Sequence, residues 1–173
     1  MFATATAAAR WSKTLLLASV ALFFTLVVLN NTTDFYSNYQ FVQHVLSMDS
    51  TFSDNRVMWR AITAPGLHLA FYLGIIAWEL INAVVCWCGA AALFCARNAP
   101  DEVFTQAKRI GTLALTAGLL LWLVAFLTIG AEWFLMWQSK QWNGQDAAFR
   151  MFTVEALILA LLLMPEPAGK SRQ

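Results

Sequence analysis

Residues 66–96 read GLHLAFYLGIIAWELINAVVCWCGAAALFCA, a run whose sole charged member is Glu79. A helix needs about 20 mostly apolar residues to cross the hydrocarbon core of a bilayer. This stretch is therefore a membrane span, and the rest of the chain is read outward from it. Three more runs qualify by the same rule, at 11–30, 110–130 and 147–164, the last ending at Pro165-Glu166-Pro167. Across 173 residues, 60% are hydrophobic and 12% charged. Soluble domains hold roughly 45–50% and 25%, and a single domain of this size cannot hide the excess from water. The reading is an all-α fold, a four-transmembrane-helix bundle with short amphipathic helices capping the extracytoplasmic side, over 1–173 as one integral membrane domain. The formal net charge of +1 supplies no broad basic field, so no nucleic-acid partner is expected.

Arg10 and Lys13 precede the first run, but no small-x-small cleavage site follows it. It is read as a retained helix rather than a cleaved signal. Lysine and arginine set orientation. Arg10, Lys13, Arg97, Lys108, Arg109, Lys170 and Arg172 fall on one side, against Arg56, Arg60, Lys140 and Arg150 on the other. The excess places both termini in the cytoplasm. The inner loop is then 97–109, and the outer segments are 31–65 and 131–146.

The second span carries the most informative pattern. At 100° per residue, His68, Tyr72, Glu79, Asn82 and Cys86 fall within about 80° of one another. Gly66, Ala70 and Gly74 lie opposite, a small-xxx-small seam that lets another helix approach closely. Ala114 and Gly118 repeat the pattern in the third span. Glu79 lies about 20 Å along the second span and Glu155 about 12 Å into the fourth. Neither span holds a lysine or arginine in its core. Charge is expensive at that depth, so each glutamate must carry its proton or share hydrogen bonds with groups such as Asn82, Tyr72 or a Trp indole. Two readings follow: a proton or cation relay, or hydrogen-bonding glue between helices. Glue is favoured, because the second span beyond Cys86 offers a relay only apolar and small residues.

The outer segments are patterned too. Phe41, Val42, Val45, Leu46 and Met48 recur at helical spacing. Ser53-Asp54 is read as the cap of a second short helix through Val57 and Ile62. Pro65 suits the first turn of the second span, and Asp146 is read as the N-cap of the fourth. Arg60 or Arg56 is expected to pair with Glu132 or Asp146. His44 and His68 lie toward the outer side and read as hydrogen-bonded histidines, a metal shared with Asp49 or Glu132 being the weaker alternative. Trp11, Trp59, Trp133, Trp137 and Trp142 suit the headgroup belts, and Trp78, Trp87 and Trp122 read as packing residues. Cys86, Cys88 and Cys95, an odd number inside one apolar run, are no disulfide framework. No phosphate-binding loop, nucleophile elbow or zinc-protease motif occurs, so neither enzymatic activity nor a cofactor is expected.

The segments NYQFVQHVLSMDSTF (38–52), WRAITAPGLH (59–68), AWELINA (77–83) and EWFLMWQSKQWNGQDAAFR (132–150) resemble the bacterial domain-of-unknown-function family 2165 of predicted small integral membrane proteins. The resemblance runs from about Trp11 to Met164. It implies four spans and an inner-membrane location, and brings no catalytic residues. It draws notice to extracytoplasmic His44, Met48, Asp49, Trp59, Arg60, Glu132, Trp133, Trp137, Gln138, Trp142, Asn143 and Gln145. The expected function is that of a non-catalytic accessory or scaffolding subunit, in contact with membrane lipids and with other integral membrane subunits or further copies of itself. The alternative is a small oligomeric carrier using Glu79, Asn82, His68, Tyr72 and Glu155.

Overall fold

The computed structural model describes residues 5–167, so Lys170 and Arg172 lie outside the described residues. Its helices are α1 (Ala5–Thr33), α2 (Phe35–Ser47), α3 (Pro65–Ala96), α4 (Asp101–Leu120) and α5 (Gln145–Leu163). No strand occurs among the described residues. α4 continues without a break into a π-helical stretch, Leu121–Trp133, where Phe134 N–H donates to the Ile129 carbonyl and Thr128 Oγ1 to the Leu123 carbonyl, each five residues back. Among the described residues, three helices are long and apolar enough to cross a membrane: α1, α3, and α4 with its π-helical continuation. α5 has 19 residues and carries Asp146, Arg150 and Glu155.

Several boundaries differ from the sequence reading. α1 runs past residue 30 and takes in Asn31, breaking only at Asp34 before α2 begins. The helix expected after Ser53-Asp54 is reduced to a 3₁₀ turn, Met58–Arg60. Asn55 explains this locally, because its Oδ1 accepts the Val57 N–H at 2.9 Å and its own N–H goes to the Phe52 carbonyl. Pro65 then holds Ala64 extended, as the ring demands of the residue before it. Asp146 does not cap α5. The helix starts one residue earlier, Asn143 Oδ1 takes the Gln145 N–H at 3.0 Å, and Asp146 sits in the first turn. A carboxylate there favours the positive end of the helix dipole.

α1 packs along α3, α3 against α4, α4 against α5, and α5 back against α1. Leu17, Phe24, Cys86, Leu93, Phe104, Leu115 and Leu162 fill the shared core. α3 and α4 approach closely at Gly89, where a Cβ would lie 2.8 Å from the Gly111 backbone nitrogen. The seam expected at Gly66, Ala70 and Gly74 is not packed within the chain. Nothing lies within 4 Å of a Cβ built on Gly66 or Gly74, and Ala70 and Gly74 border an open apolar groove of about 590 Å³. The reason lies on the other side of α3, where Glu79, Asn82 and Cys86 need cover, so that face turns inward. A second core holds the outer elements together through Val42, Leu46, Met48, Tyr72, Phe134 and Met136.

One end of the assembly is closed by buried charge. Lys13 of α1 and Lys108 of α4 both reach past the end of α5. Each donates to the Met164 carbonyl, at 2.6 and 2.9 Å, and to Glu166 Oε1, at 2.6 and 2.7 Å. Arg10 donates to the Arg97 and Ala99 carbonyls, pairs with Asp101, and lies over the Phe104 ring. These contacts tie α1, the 97–100 turn, α4 and the end of α5 to one another.

Burial pushes the Glu166 carboxyl up, but the hydrogen bonds and charges of Lys108 and Lys13 outweigh it and hold it below the usual carboxylate range. A folded value below the unfolded one means that this latch contributes stability at neutral pH. That stability is lost as pH falls through the ordinary glutamate value of about 4.3 and is gone below the folded value. The thermal midpoint of the purified protein in detergent should therefore fall on acidification, and Glu166→Gln should lack that part of the fall. At pH 7 Glu166→Gln should itself cost about 3 kcal/mol, because two buried lysines lose their shared anion.

Candidate functional site

The polar groups inside the spans form two clusters, both on the inward face of α3. Glu79 is 3% exposed, and its Oε2 accepts the Asn31 side-chain N–H at 2.7 Å. Asn31 Oδ1 in turn accepts from Asn38 of α2 at 2.7 Å, and the Tyr72 hydroxyl donates to the Asn31 carbonyl at 3.1 Å. A chain of donors thus runs from Asn38 through Asn31 to the carboxyl, crossing α2, α1 and α3. Tyr72 and Glu79 meet Asn31 together because residues seven apart stack two turns along one helix face.

The second cluster joins α3, α4 and α5. Glu155 is fully buried, and Trp122 Nε1, in the π-helical stretch, donates to its Oε1 at 2.8 Å. Its other oxygen occupies the space that a Cβ on Gly118 would fill, with the Asn82 amide nitrogen 3.0 Å from the same point. Gly118 thus lets a carboxyl from α5 and an amide from α3 reach toward each other across α4. Glu155 Oε2 and both amide atoms of Asn82 have no hydrogen-bond partner. Buried polar atoms without partners are uncommon, and here three of them gather around one glycine.

Cys86 lies one turn beyond Asn82 and is fully buried. Beyond it, toward the Lys13–Lys108–Glu166 latch, Leu17 and Leu93 fill the core at 0% exposure. The inward face of α3 therefore carries its polar groups from His68 to Cys86, and only small and apolar residues from there to Ala96.

The outer segments form a third grouping. His44 Nδ1 lies 2.7 Å from Asp49 Oδ2, and its ring stacks on Trp142 at 4.5 Å and 12°. Ser50 Oγ donates to Ser139 Oγ at 2.9 Å, and the Phe52 N–H to Gln138 Oε1 at 3.1 Å, so 44–52 is stitched to 138–142. His68 stands apart: its Nε2 faces the Ile62 carbonyl at 2.6 Å and fastens the 57–64 connection to α3. Among the described residues, no three His, Cys, Asp or Glu side chains gather as metal ligands do. Arg60 does not pair with Glu132. Its guanidinium lies over the Trp133 ring at 4.7 Å and donates to the Trp133 carbonyl at 3.4 Å, while the Glu132 carboxylate stays exposed. Arg56 forms no ion pair with Glu132 or Asp146 either, these pairs being absent among the described residues. Trp78 and Trp87 are 44% and 45% exposed rather than packed inside, their indoles donating to the Ala117 carbonyl and Thr25 Oγ1.

Sequence reasoning grouped Glu79 with Tyr72 and named Asn82 and Glu155, but missed Asn31, Asn38 and Trp122. Two signals pointed to them. Leu17, Phe24 and Asn31 are spaced by seven, which places Asn31 on the buried face once α1 continues. Leu115, Gly118 and Trp122 are spaced three and four, one stripe of α4. A family model described as "Predicted small integral membrane protein (DUF2165)" matches residues 9–165. No curated protein and no solved structure matches the chain.

Gly118→Ala should be far more harmful than an ordinary helix Gly→Ala exchange, which is favourable by about 1 kcal/mol. Its methyl displaces the Glu155 carboxyl, and a loss of about 2 kcal/mol or more is expected from overpacking and the broken Trp122 bond. The check is the thermal midpoint in detergent together with Trp fluorescence. Gly74→Ala, with open space around it, should leave the midpoint unchanged or slightly raised.

Proposed function

The chain belongs to the DUF2165 family of predicted small integral membrane proteins, and from that premise we propose that it is a four-span, non-catalytic accessory or scaffolding subunit of a complex in the bacterial inner membrane. In this reading α5 is the fourth span, and both termini face the cytoplasm. Support for α5 comes from its exposed side. Phe149, Val154, Leu157 and Leu161 point outward while Glu155 is turned wholly inward, the arrangement that lipid requires of a helix carrying a carboxyl. Support for the orientation comes from Arg10, Lys13, Arg97 and Lys108, which share one end. Basic residues collect on the cytoplasmic side.

One observation carries the subunit reading. The inward face of α3 is closed by its own chain, whereas at Gly66 and Gly74 no described residue comes within 4 Å of an added Cβ, and Gly74 borders an open apolar groove between α3 and the continuation of α4. Small residues on a lipid-facing surface favour close approach of a second helix. The apolar plug between Cys86 and the basic latch argues against a path for ions across the chain.

A carrier is the second reading, favoured by the three unpartnered polar atoms of Asn82 and Glu155. It would use Glu79 and Glu155 in an oligomer. Isolation of the tagged protein from native membranes in a mild detergent separates the two. A stoichiometric integral membrane partner, released by Gly74→Leu without a change in thermal midpoint, is the expected result. Recovery of the chain alone, with proton flux into liposomes that Glu79→Gln and Glu155→Gln abolish, would establish the carrier instead.

A further inference from the structure

α5 ends at Leu163, level with Lys108, since Lys108 Nζ donates to the Met164 carbonyl. The chain then turns at Pro165 and carries Glu166 inward between Lys13 and Lys108. That turn leaves one side of the first turns of α4 without a helix over it among the described residues. A groove of about 550 Å³ remains there, between α4 and the end of α5.

The lining of the groove is ordered along its length. Thr105, Lys108, Arg109 and Thr112 form its polar part, and Leu113 and Leu163 its apolar part. Residues 105, 108, 109, 112 and 113 follow the three-and-four spacing of one helix face. From Thr105 to Leu113 the face advances about 12 Å, the step from the headgroup layer into the hydrocarbon. Leu113 and Leu163 are 68% and 59% exposed, which in a bilayer means contact with acyl chains.

Positive charge is in excess at the polar end. Lys13 and Lys108 share a single carboxylate oxygen of Glu166. Lys108 itself is buried, its ammonium turned to the Met164 carbonyl, Glu166 and the Phe104 ring. Arg109 is exposed and takes no ion pair among the described residues. Glu102, two turns earlier on α4, does not pair with it.

We propose that this groove is a binding site for one anionic phospholipid, its phosphate held by Arg109 and the Thr105 hydroxyl, next to the buried charge of Lys108, and an acyl chain laid along Leu113 and Leu163. Cationic donors match the headgroup charge, and basic pockets between membrane helices recognise such headgroups. A soluble phosphate would use only the polar end, whereas the groove continues into an apolar end formed by Leu113 and Leu163. The inference is independent of the subunit reading, because it concerns a lipid that the chain binds alone or in a complex.

The test uses the full chain in nanodiscs of phosphatidylglycerol and phosphatidylcholine at equal fractions, followed by extraction into mild detergent and native mass spectrometry. One phosphatidylglycerol should be retained in preference to phosphatidylcholine. Arg109→Gln should reduce that preference about fivefold, with the lipid-free thermal midpoint unchanged because Arg109 is exposed. Arg150→Gln, an exposed basic residue near the other end of α5, should leave the preference as in the wild type. Equal retention of the two lipids, or an Arg109→Gln preference equal to that of the wild type, would overturn the proposal. So would displacement of the lipid by millimolar inorganic phosphate, which would mark a site for a free anion.

Discussion

A carboxyl group buried away from water must find its hydrogen bonds within the protein. Glu79 and Glu155 impose that demand on this chain, and much of the architecture answers it. Glu79 requires a donor from α1, and Asn31 supplies it only because α1 stays helical past the apolar run. Asn31 must then be oriented, and Asn38 of α2 and Tyr72 of α3 do so. Glu155 requires a donor from the continuation of α4, which Trp122 provides, and space beside α4, which the missing side chain of Gly118 provides. The helices are arranged with their polar groups inward and much of their apolar surface outward, as lipid contact asks.

The two ends are held by different forces. At the basic end, buried lysines, Arg10 and Glu166 make direct charged contacts that fasten the helix ends to one another. At the other end, stacked rings and neutral hydrogen bonds dominate, with the arginine Arg60 spread over Trp133 instead of a carboxylate. That end also holds Met48 and Leu135, with φ of 53° and 55°, the left-handed conformation that costs side-chain-bearing residues about 1 kcal/mol or more. Met48 is buried in the outer core beside Met136, and Leu135 packs on the same core, so tertiary contacts select a backbone geometry that neither residue favours alone.

Small residues show how similar motifs take different roles. Gly89 and Gly111 bring α3 and α4 into backbone contact, Gly118 makes room for a carboxyl, and Gly66 and Gly74 face open space. The spacing of glycines along a helix shows where a close approach is sterically allowed. Which approach is made depends on the side that the polar residues of α3 must turn toward cover.

Composition and apolar periodicity alone established a membrane-embedded all-α chain, because the hydrophobic excess has no other solution in a protein of this length. They also identified one polar face on α3, since 3.6-residue periodicity places His68, Tyr72, Glu79, Asn82 and Cys86 together before any folding is known. The partners of those residues were decided by tertiary structure. Asn31 and Trp122 sit 48 and 33 residues from the carboxyls they serve, and no local rule links positions so far apart. The π-helical turn after Leu120 shifts the register of every later side chain in that helix, which a 100° wheel cannot foresee. Arg60 chose a tryptophan face over a carboxylate through proximity in space. Local sequence sets what each helix face can offer, but the crossing of helices decides which offers meet.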